Sequence, residues 1–182
     1  MEDLSLHILD IAENSVEAQA DEIRIRLEEN RQKDRLTLEI ADNGKGMDKE
    51  LLERALDPFV TTKKARRIGL GLPLLTEAAK AAGGTLTVRS QPGRGTKVRA
   101  TFQLSHIDLK PLGDLTLTLL TLIAGHPDID IRYTHEVNGK KYAFDTRDLR
   151  AQLHGIPIND PQVIKFIKHD INEGIDHIRR KT

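Results

Sequence analysis

The stretch ADNGKGM, residues 41–47, ends a segment, LTLEI, whose apolar and polar residues alternate. Alternation with a period of two is typical of a strand, so Asp42 stands where the strand ends. An ionised carboxylate at that position is unfavourable unless hydrogen-bond donors reach it. Gly44 and Gly46 permit a positive φ or the close approach of another group to the backbone. Taken alone, the stretch is explained more simply as an Asx turn than as a ligand site.

Three further patterns occur at other points of the chain. Asp10 and Asn14 in DIAENS are four residues apart on a predicted helix and therefore share one face. In GLGLPLL, residues 69–75, two glycines precede a helix whose free N–H groups and positive dipole end suit an anion. PGRGT, residues 92–96, is a turn between two predicted strands. Each pattern alone also has a structural explanation: a solvated polar stripe, a flexible loop and a hairpin turn.

Together and in this order, the patterns resemble the motifs of the GHKL ATPases, which include histidine kinases, DNA gyrase, the heat-shock chaperone ATPase and MutL mismatch-repair proteins. LHILDIAENSVEAQA is similar to the N box, DNGKGM to the first glycine box, DPFVTTK to the F box, GLGLPLL to the second glycine box and GRGT to the terminal Gly-Thr. The resemblance covers Leu4 to Leu104. PFVTTK followed shortly by GLGL is most similar to the short-lid histidine kinases, whereas AENSVEAQADEIRI is more similar to MutL.

The resemblance implies a role for each motif in binding ATP and Mg²⁺. Asp42 would accept a hydrogen bond from the exocyclic amine of adenine, and Asn14 would give its amide oxygen to Mg²⁺. The other residues implied in nucleotide binding are Gly44, Gly46, Met47, Lys63, Gly69, Leu70, Gly71 and Thr96.

Each of these residues would contact a different part of the nucleotide. The two glycines of DNGKGM would let the loop pass close to it, and Met47, with Ile40, would offer apolar surface to the purine. Backbone N–H groups of residues 69–71 would bind phosphate oxygens, and Lys63, with Lys64 beside it, would add positive charge. Thr96 would reach the adenine side. Phe59 is explained equally well as a hinge anchor or as a core residue.

Asp10 occupies the position where the ATP-hydrolysing branches of the superfamily usually carry Glu. Its carboxylate is one methylene shorter, so we expect it to act through water or by tuning Mg²⁺ if it is catalytic. No phosphoacceptor helix is recognisable before it. We therefore expect a histidine kinase-like protein that lacks its own phosphoacceptor domain and transfers phosphoryl to a separate protein. The alternatives are an ATP-operated conformational switch with slow hydrolysis, and ATP binding without turnover.

The composition narrows the classes of function. Lys plus Arg and Asp plus Glu both number 28, so no overall charge attracts nucleic acid or an anionic membrane. The chain contains no cysteine, which excludes thiolate nucleophiles and Cys-based zinc sites. No signal peptide and no apolar run long enough to span a membrane is present, so a cytoplasmic location is expected. A protein partner, which carries the phosphoacceptor or senses lid closure, is expected, and a homodimer is left open.

The pattern of elements predicts an α+β protein. We expect a two-layer α/β sandwich, the Bergerat fold, with helices on one face of a mixed, mostly antiparallel sheet. Residues 1–105 are predicted to be the ATP-binding domain and residues 106–182 a small α+β C-terminal domain. In the latter, LGDLTLTLLTLIAG fits either a helix or a strand, and Asn138-Gly139 predicts a hairpin. The apolar stripe of the last helix would pack on the ATPase domain or bind a partner.

Overall fold

The fold is a single mixed sheet with helices packed on it, seen in a computed structural model that describes residues 2–57 and 71–180. The six strands are β1 (Glu22–Asn30), β2 (Arg35–Asp42), β3 (Thr85–Gln91), β4 (Gly95–Gln103), β5 (Asp130–Val137) and β6 (Lys140–Asp145). The helices are α1 (Leu4–Glu17), α2 (Lys49–Leu56), α3 (Gly71–Ala81), α4 (Leu115–Gly125), α5 (Thr146–Gln152) and α6 (Pro161–Arg179). The sheet has the order β3-β4-β2-β1-β5-β6. The predicted α+β sandwich is therefore confirmed.

The strands β1 and β2, in which apolar and polar residues alternate, form an antiparallel hairpin. Ile25 of β1 lies opposite Ile40 of β2, and Leu27 lies opposite Leu38. All four side chains are buried, whereas Arg26, which stands between Ile25 and Leu27 in β1, is exposed. One face of the sheet thus carries the core, and the opposite face carries charged side chains.

The helix α1 lies over the buried face of the sheet and begins at an Asp3 cap, whose carboxylate accepts from the N–H of Leu6 at 3.0 Å. Its buried side includes Ile8, Ile11 and Ser15, all under 5% exposed. Leu6, by contrast, is 41% exposed. Ser15 lies toward the end of β2, where its hydroxyl donates to Asp42.

The ambiguous segment after residue 111 forms the helix α4. Its Asp114 cap accepts from the N–H of Leu117 at 2.8 Å. Leu115, Leu119 and Leu122 are buried at spacings of four and three residues, which fits one helical face. The Thr residues that suggested a strand are accommodated because Thr118 Oγ1 donates to the backbone oxygen of Ser5 at 3.3 Å.

Residues 106–182 extend the sheet of the preceding part. β5 pairs in parallel with β1, so that Ile25 lies opposite Tyr133, and β6 pairs antiparallel with β5. Ile131, Ile167 and Ile171 belong to the same buried cluster as Ile8 and Ile25. The predicted boundary near residue 105 thus coincides with no break in the sheet or the core, and the independence of the two parts stays a prediction.

Candidate functional site

A cavity of about 330 Å³ lies between α1, α2 and the ends of β2 and β4. Its wall contains six of the residues singled out in the sequence, namely Asn14, Ile40, Asp42, Gly46, Met47 and Thr96. The apolar part of the wall is formed by Ile11, Ile40, Leu51, Leu72 and Val98. A mostly apolar concavity of this volume, with a few polar groups, is typical of a small-molecule site.

Asp42 is the most extensively hydrogen-bonded side chain of the cavity wall. It is 9% exposed, and its Oδ1 accepts from the N–H of Gly44 at 2.9 Å and of Thr96 at 3.1 Å. Ser15 Oγ donates to Oδ2 at 2.7 Å. An ionised carboxylate has about four acceptor positions, and these donors use three. Among the described residues, no protein donor uses the remaining acceptor position on Oδ2.

The glycines of DNGKGM are required by the protein's own backbone. A Cβ on Gly44 would lie 2.6 Å from the carbonyl oxygen of Ala18, and Gly46 has a φ of +65° and packs against the carbonyl of Gln91. The N–H of Lys45 donates to Ala18 O at 2.8 Å, which ties the loop to the end of α1. The sequence predicted close approach to a nucleotide; the structure shows that close approach within the chain already explains both glycines.

Thr96 contributes its backbone N–H to Asp42, and its hydroxyl points elsewhere. Thr96 Oγ1 lies 2.8 Å from Ser90 Oγ, and Ser90 Oγ also accepts from the N–H of Met47 at 2.8 Å. These bonds fasten the turn before α2 to the β3–β4 hairpin. Met47 is thereby held in the cavity wall.

Asp10, Asn14 and Gly71 meet at the other end of the site. A Cβ on Gly71 would overlap Asp10 Oδ2 and would lie 3.5 Å from Asn14 Nδ2. The helix α1 and the start of α3 are therefore in direct contact, and Asp10 and Asn14 face this contact. Burial raises the pKa of the Asp10 carboxyl, and the nearby carboxylates of Glu17 and Glu13 raise it further.

Three of the predicted nucleotide-binding residues, Lys63, Gly69 and Leu70, lie outside the described residues, as do Phe59 and Lys64. Their predicted roles stay predictions. Within residues 2–57 and 71–180, no group of three or more His, Asp or Glu side chains is placed to hold a metal ion. No helix in the same ranges is both long and apolar enough to cross a membrane.

Ser15 and Ser90 are site residues that the sequence reasoning missed. Ser15 follows Asn14 directly and lies four residues after Ile11, so helical spacing placed it on the buried side of α1. A hydroxyl on that side needs a partner, which in the structure is Asp42. No local signal pointed to Ser90, because its partners come from the first glycine box and from the next strand.

Comparison with known proteins places the chain in a family. The family described as "Histidine kinase-, DNA gyrase B-, and HSP90-like ATPase" matches residues 2–106, more than half of the chain. The chain belongs to this family. The resemblance to GHKL ATPases predicted from five motifs is thus confirmed, and the match ends where the predicted ATP-binding domain ends.

Sensor kinases are among the curated relatives of this family member. It is 41% identical over 105 residues to the sensor protein kinase FleS of Pseudomonas aeruginosa, an alignment that covers 58% of this chain and 25% of FleS. It is 36% identical over 88 residues to the alginate biosynthesis sensor protein KinB of the same species, covering 48% of this chain and 15% of KinB. The chain therefore spans a quarter or less of the length of these relatives.

Solved structures extend the likeness of the fold beyond the family match. The Aquifex aeolicus MutL ATPase domain complexed with ADP has a TM-score of 0.52 at 13% identity, covering 78% of this chain and 62% of that one. The N-terminal domain of a DNA repair protein has a TM-score of 0.57 at 16% identity, covering 79% and 52%. Part of residues 106–182 therefore also has a counterpart in these folds.

Proposed function

We propose that this chain binds ATP with Mg²⁺ in the cavity and transfers the terminal phosphoryl group to a separate protein. The observation that carries the proposal is the buried Asp42 carboxylate, which three protein donors hold in place and which keeps one acceptor position toward the cavity. An acceptor fixed in this way recognises an amine donor such as that of adenine and excludes a carbonyl at the same place. Ile40 and Met47 supply apolar contact to a purine ring.

The opposite end of the site suits the phosphates. Asn14 faces the start of α3, where it would hold Mg²⁺ through its amide oxygen; bound Mg²⁺ would offset the charge of the phosphates. Mg²⁺ in nucleotide sites often has only one or two protein ligands, so a single amide fits it. Gly71 allows the backbone of α3 to approach Asp10 and Asn14 closely. Lys63 and residues 69–70 complete this end in the proposal.

Transfer to a separate protein is supported by the sensor kinase relatives and by the chemistry of the reaction. Phosphoryl transfer requires positioning and charge neutralisation more than a covalent catalyst, and the site offers both. Incubation with γ-labelled ATP, Mg²⁺ and candidate partner proteins tests it. At a limiting ATP concentration, we expect label on a partner with the wild type and strongly reduced label with Asp42→Asn. Binding of ATP without label on any partner would reject phosphotransfer and retain the nucleotide site.

A second function, an ATP-operated switch with slow hydrolysis, is favoured by the position of Asp10. Its carboxylate lies against Gly71, and its raised pKa is suited to a general base. Replacing Asp10 with Asn preserves the shape and removes the base, so phosphate release should fall by about two orders of magnitude or more. Unchanged release from a folded Asp10→Asn variant would reject this role. A cytoplasmic location, where ATP is available, stays a prediction of both functions.

A further inference from the structure

We propose that β3 binds an extended segment of a partner protein as an additional strand, and that this segment alternates acidic and apolar residues. The proposal concerns the edge of the sheet beside the cavity and does not depend on ATP binding. It is carried by an open strand edge and by the charge of the hairpin that contains it.

In the described part of the chain, the open edge is that of β3, the terminal strand in the sheet order, except at its last residue, Gln91, which lies against Gly46. In an edge strand of an antiparallel pair, alternate residues direct both their N–H and C=O groups outward. β3 is seven residues long, has no Pro, and carries only one charged residue, Arg89. Edge strands in natural proteins are usually protected by several charges, by Pro, by bulges or by a covering element. An edge without this protection, such as that of β3, is a template for a further strand.

The opposite edge of the sheet differs. β6 has six residues and begins with two lysines. Tyr142 of β6 donates to Asp170 of α6 at 2.7 Å, so α6 is fastened across this strand. The lysines of β6 protect this edge against pairing with a further strand. Within the described sheet, β3 is therefore the open edge.

The charge of the β3–β4 hairpin indicates what the added strand carries. Residues 84–104 contain Arg89, Arg94, Lys97 and Arg99 and no Asp or Glu, although the whole chain is neutral. Arg89 lies opposite Lys97, and Arg99 is on the same outward face two residues further along β4. Lys97 pairs with Glu39 at 2.8 Å. Within the described residues, the three arginines have no ion-pair partner.

The two faces of β3 together specify an alternating segment. On the outward face, an added strand places its side chains directly opposite Arg89 and within reach of the neighbouring basic residues. On the inward face, Leu86 and Val88 are only half-buried and would be covered by apolar side chains. Acidic residues outward and apolar residues inward therefore match both faces at once.

Other occupants fit less well. Single-stranded nucleic acid is bound largely by stacking on aromatic side chains, and aromatic residues make up 3% of this chain. Elsewhere on the same face Arg24, Arg26 and Arg132 are each paired with a carboxylate, so no continuous basic track for a phosphate backbone exists in the described sheet. A second copy of the chain would bring a second basic hairpin against the first, which like charges disfavour.

The test uses the full chain and a capped peptide of the length of β3 that alternates Val and Glu. Titration of the isotope-labelled protein, followed by amide NMR, should shift the signals of residues 85–91. N-methylation of the backbone N–H groups of the peptide that face β3 should abolish binding, because it removes the donors of the hydrogen bonds between the peptide and β3. A peptide that alternates Val and Lys should not bind.

Variants of the protein separate the charge from the edge. Arg89→Glu should weaken binding of the Val-Glu peptide by about tenfold, since an attractive cross-strand pair becomes repulsive. Lys141→Glu, on the opposite edge, is the matched control and should leave the affinity unchanged. Four results would each overturn the proposal. The first two are binding of the N-methylated peptide and an equal loss of peptide affinity in Arg89→Glu and Lys141→Glu. The other two are tighter binding of a DNA oligonucleotide than of the peptide, and self-association of the protein that Arg89→Glu abolishes.

Discussion

The carboxylate of Asp42 offers the sharpest test of how the cavity recognises its ligand. In the variant Asp42→Asn, the amide oxygen can keep the place of Oδ1 and accept from the N–H groups of Gly44 and Thr96. The amide nitrogen then faces Ser15 Oγ, which can accept from it and donate instead to the carbonyl of Ile11, 3.3 Å away. Every buried polar group of the unliganded site thus retains a partner.

The stability of the variant should therefore fall only slightly, while its affinity for ATP falls strongly. Three charge-assisted hydrogen bonds become neutral ones, which costs about 1–2 kcal/mol of the free energy of unfolding. Toward the cavity, an N–H donor replaces the last acceptor position and meets the amine of adenine. Loss of a hydrogen bond to a charged acceptor costs about 2–3 kcal/mol, so ATP should bind about 30- to 150-fold more weakly.

Isothermal calorimetry with ATP and Mg²⁺ measures the affinity, and thermal unfolding of the same samples measures the stability. Asp48→Asn is the matched control, because Asp48 caps α2 by accepting from the N–H of Leu51 at 2.8 Å and Asn caps a helix equally well. We expect this control to bind ATP like the wild type. A folded Asp42→Asn variant with unchanged affinity would refute adenine recognition by this carboxylate.

Three further changes test other parts of the structure. Ser15→Ala removes the hydroxyl that donates to the buried carboxylate and should weaken ATP binding about tenfold in calorimetry; unchanged binding would show that the hydroxyl is dispensable. Gly71→Ala should displace Asp10 and abolish tight binding, whereas Gly125→Ala, whose Cβ meets nothing within 4 Å, should behave like the wild type. Burial lowers the pKa of His7 from 6.5 to about 4, so the unfolded chain binds more protons between these pH values and stability falls as the pH drops through them. Denaturant titrations at several pH values should show that the free energy of unfolding of the wild type falls by up to about 3 kcal/mol over this pH range. The fall should be absent in His7→Leu. If the free energy of unfolding of His7→Leu depends on pH as that of the wild type does, this explanation is contradicted.

Local signals predicted most elements because each depends on neighbours in the sequence. Asn138-Gly139 forms the predicted turn, and both residues have the positive φ that a type I′ turn requires, 50° and 86°. The helix α6 begins at an Asp160 cap followed by Pro161, a pair that is typical of a helix start in any sequence. Asp42 could be placed at a strand end because alternation stops there, and its burial followed from the apolar face of β2.

The parts that escaped prediction depend on contacts between segments far apart in sequence. The parallel pairing of β5 with β1 is made by backbone groups, which leave no trace in the side-chain pattern. The alternation of β1 is equally compatible with an edge strand and with a strand that has neighbours on both sides. For the same reason, the sequence did not show that the sheet continues beyond the change of pattern near residue 105.

The helix α1 contacts both the start of α3 and the later part of the chain. On one side α1 presents Asp10 and Asn14 to the start of α3. Elsewhere along its length it is fastened to the later part of the chain: the N–H of Leu4 donates to Pro111 O at 2.9 Å, and Glu13 lies 3.1 Å from Nε2 of His126, at the end of α4. A helix is stiff, so a displacement of α1 at Asp10 and Asn14 would also act on these contacts. Residues 106–182 therefore support the helix on which the proposed chemistry depends.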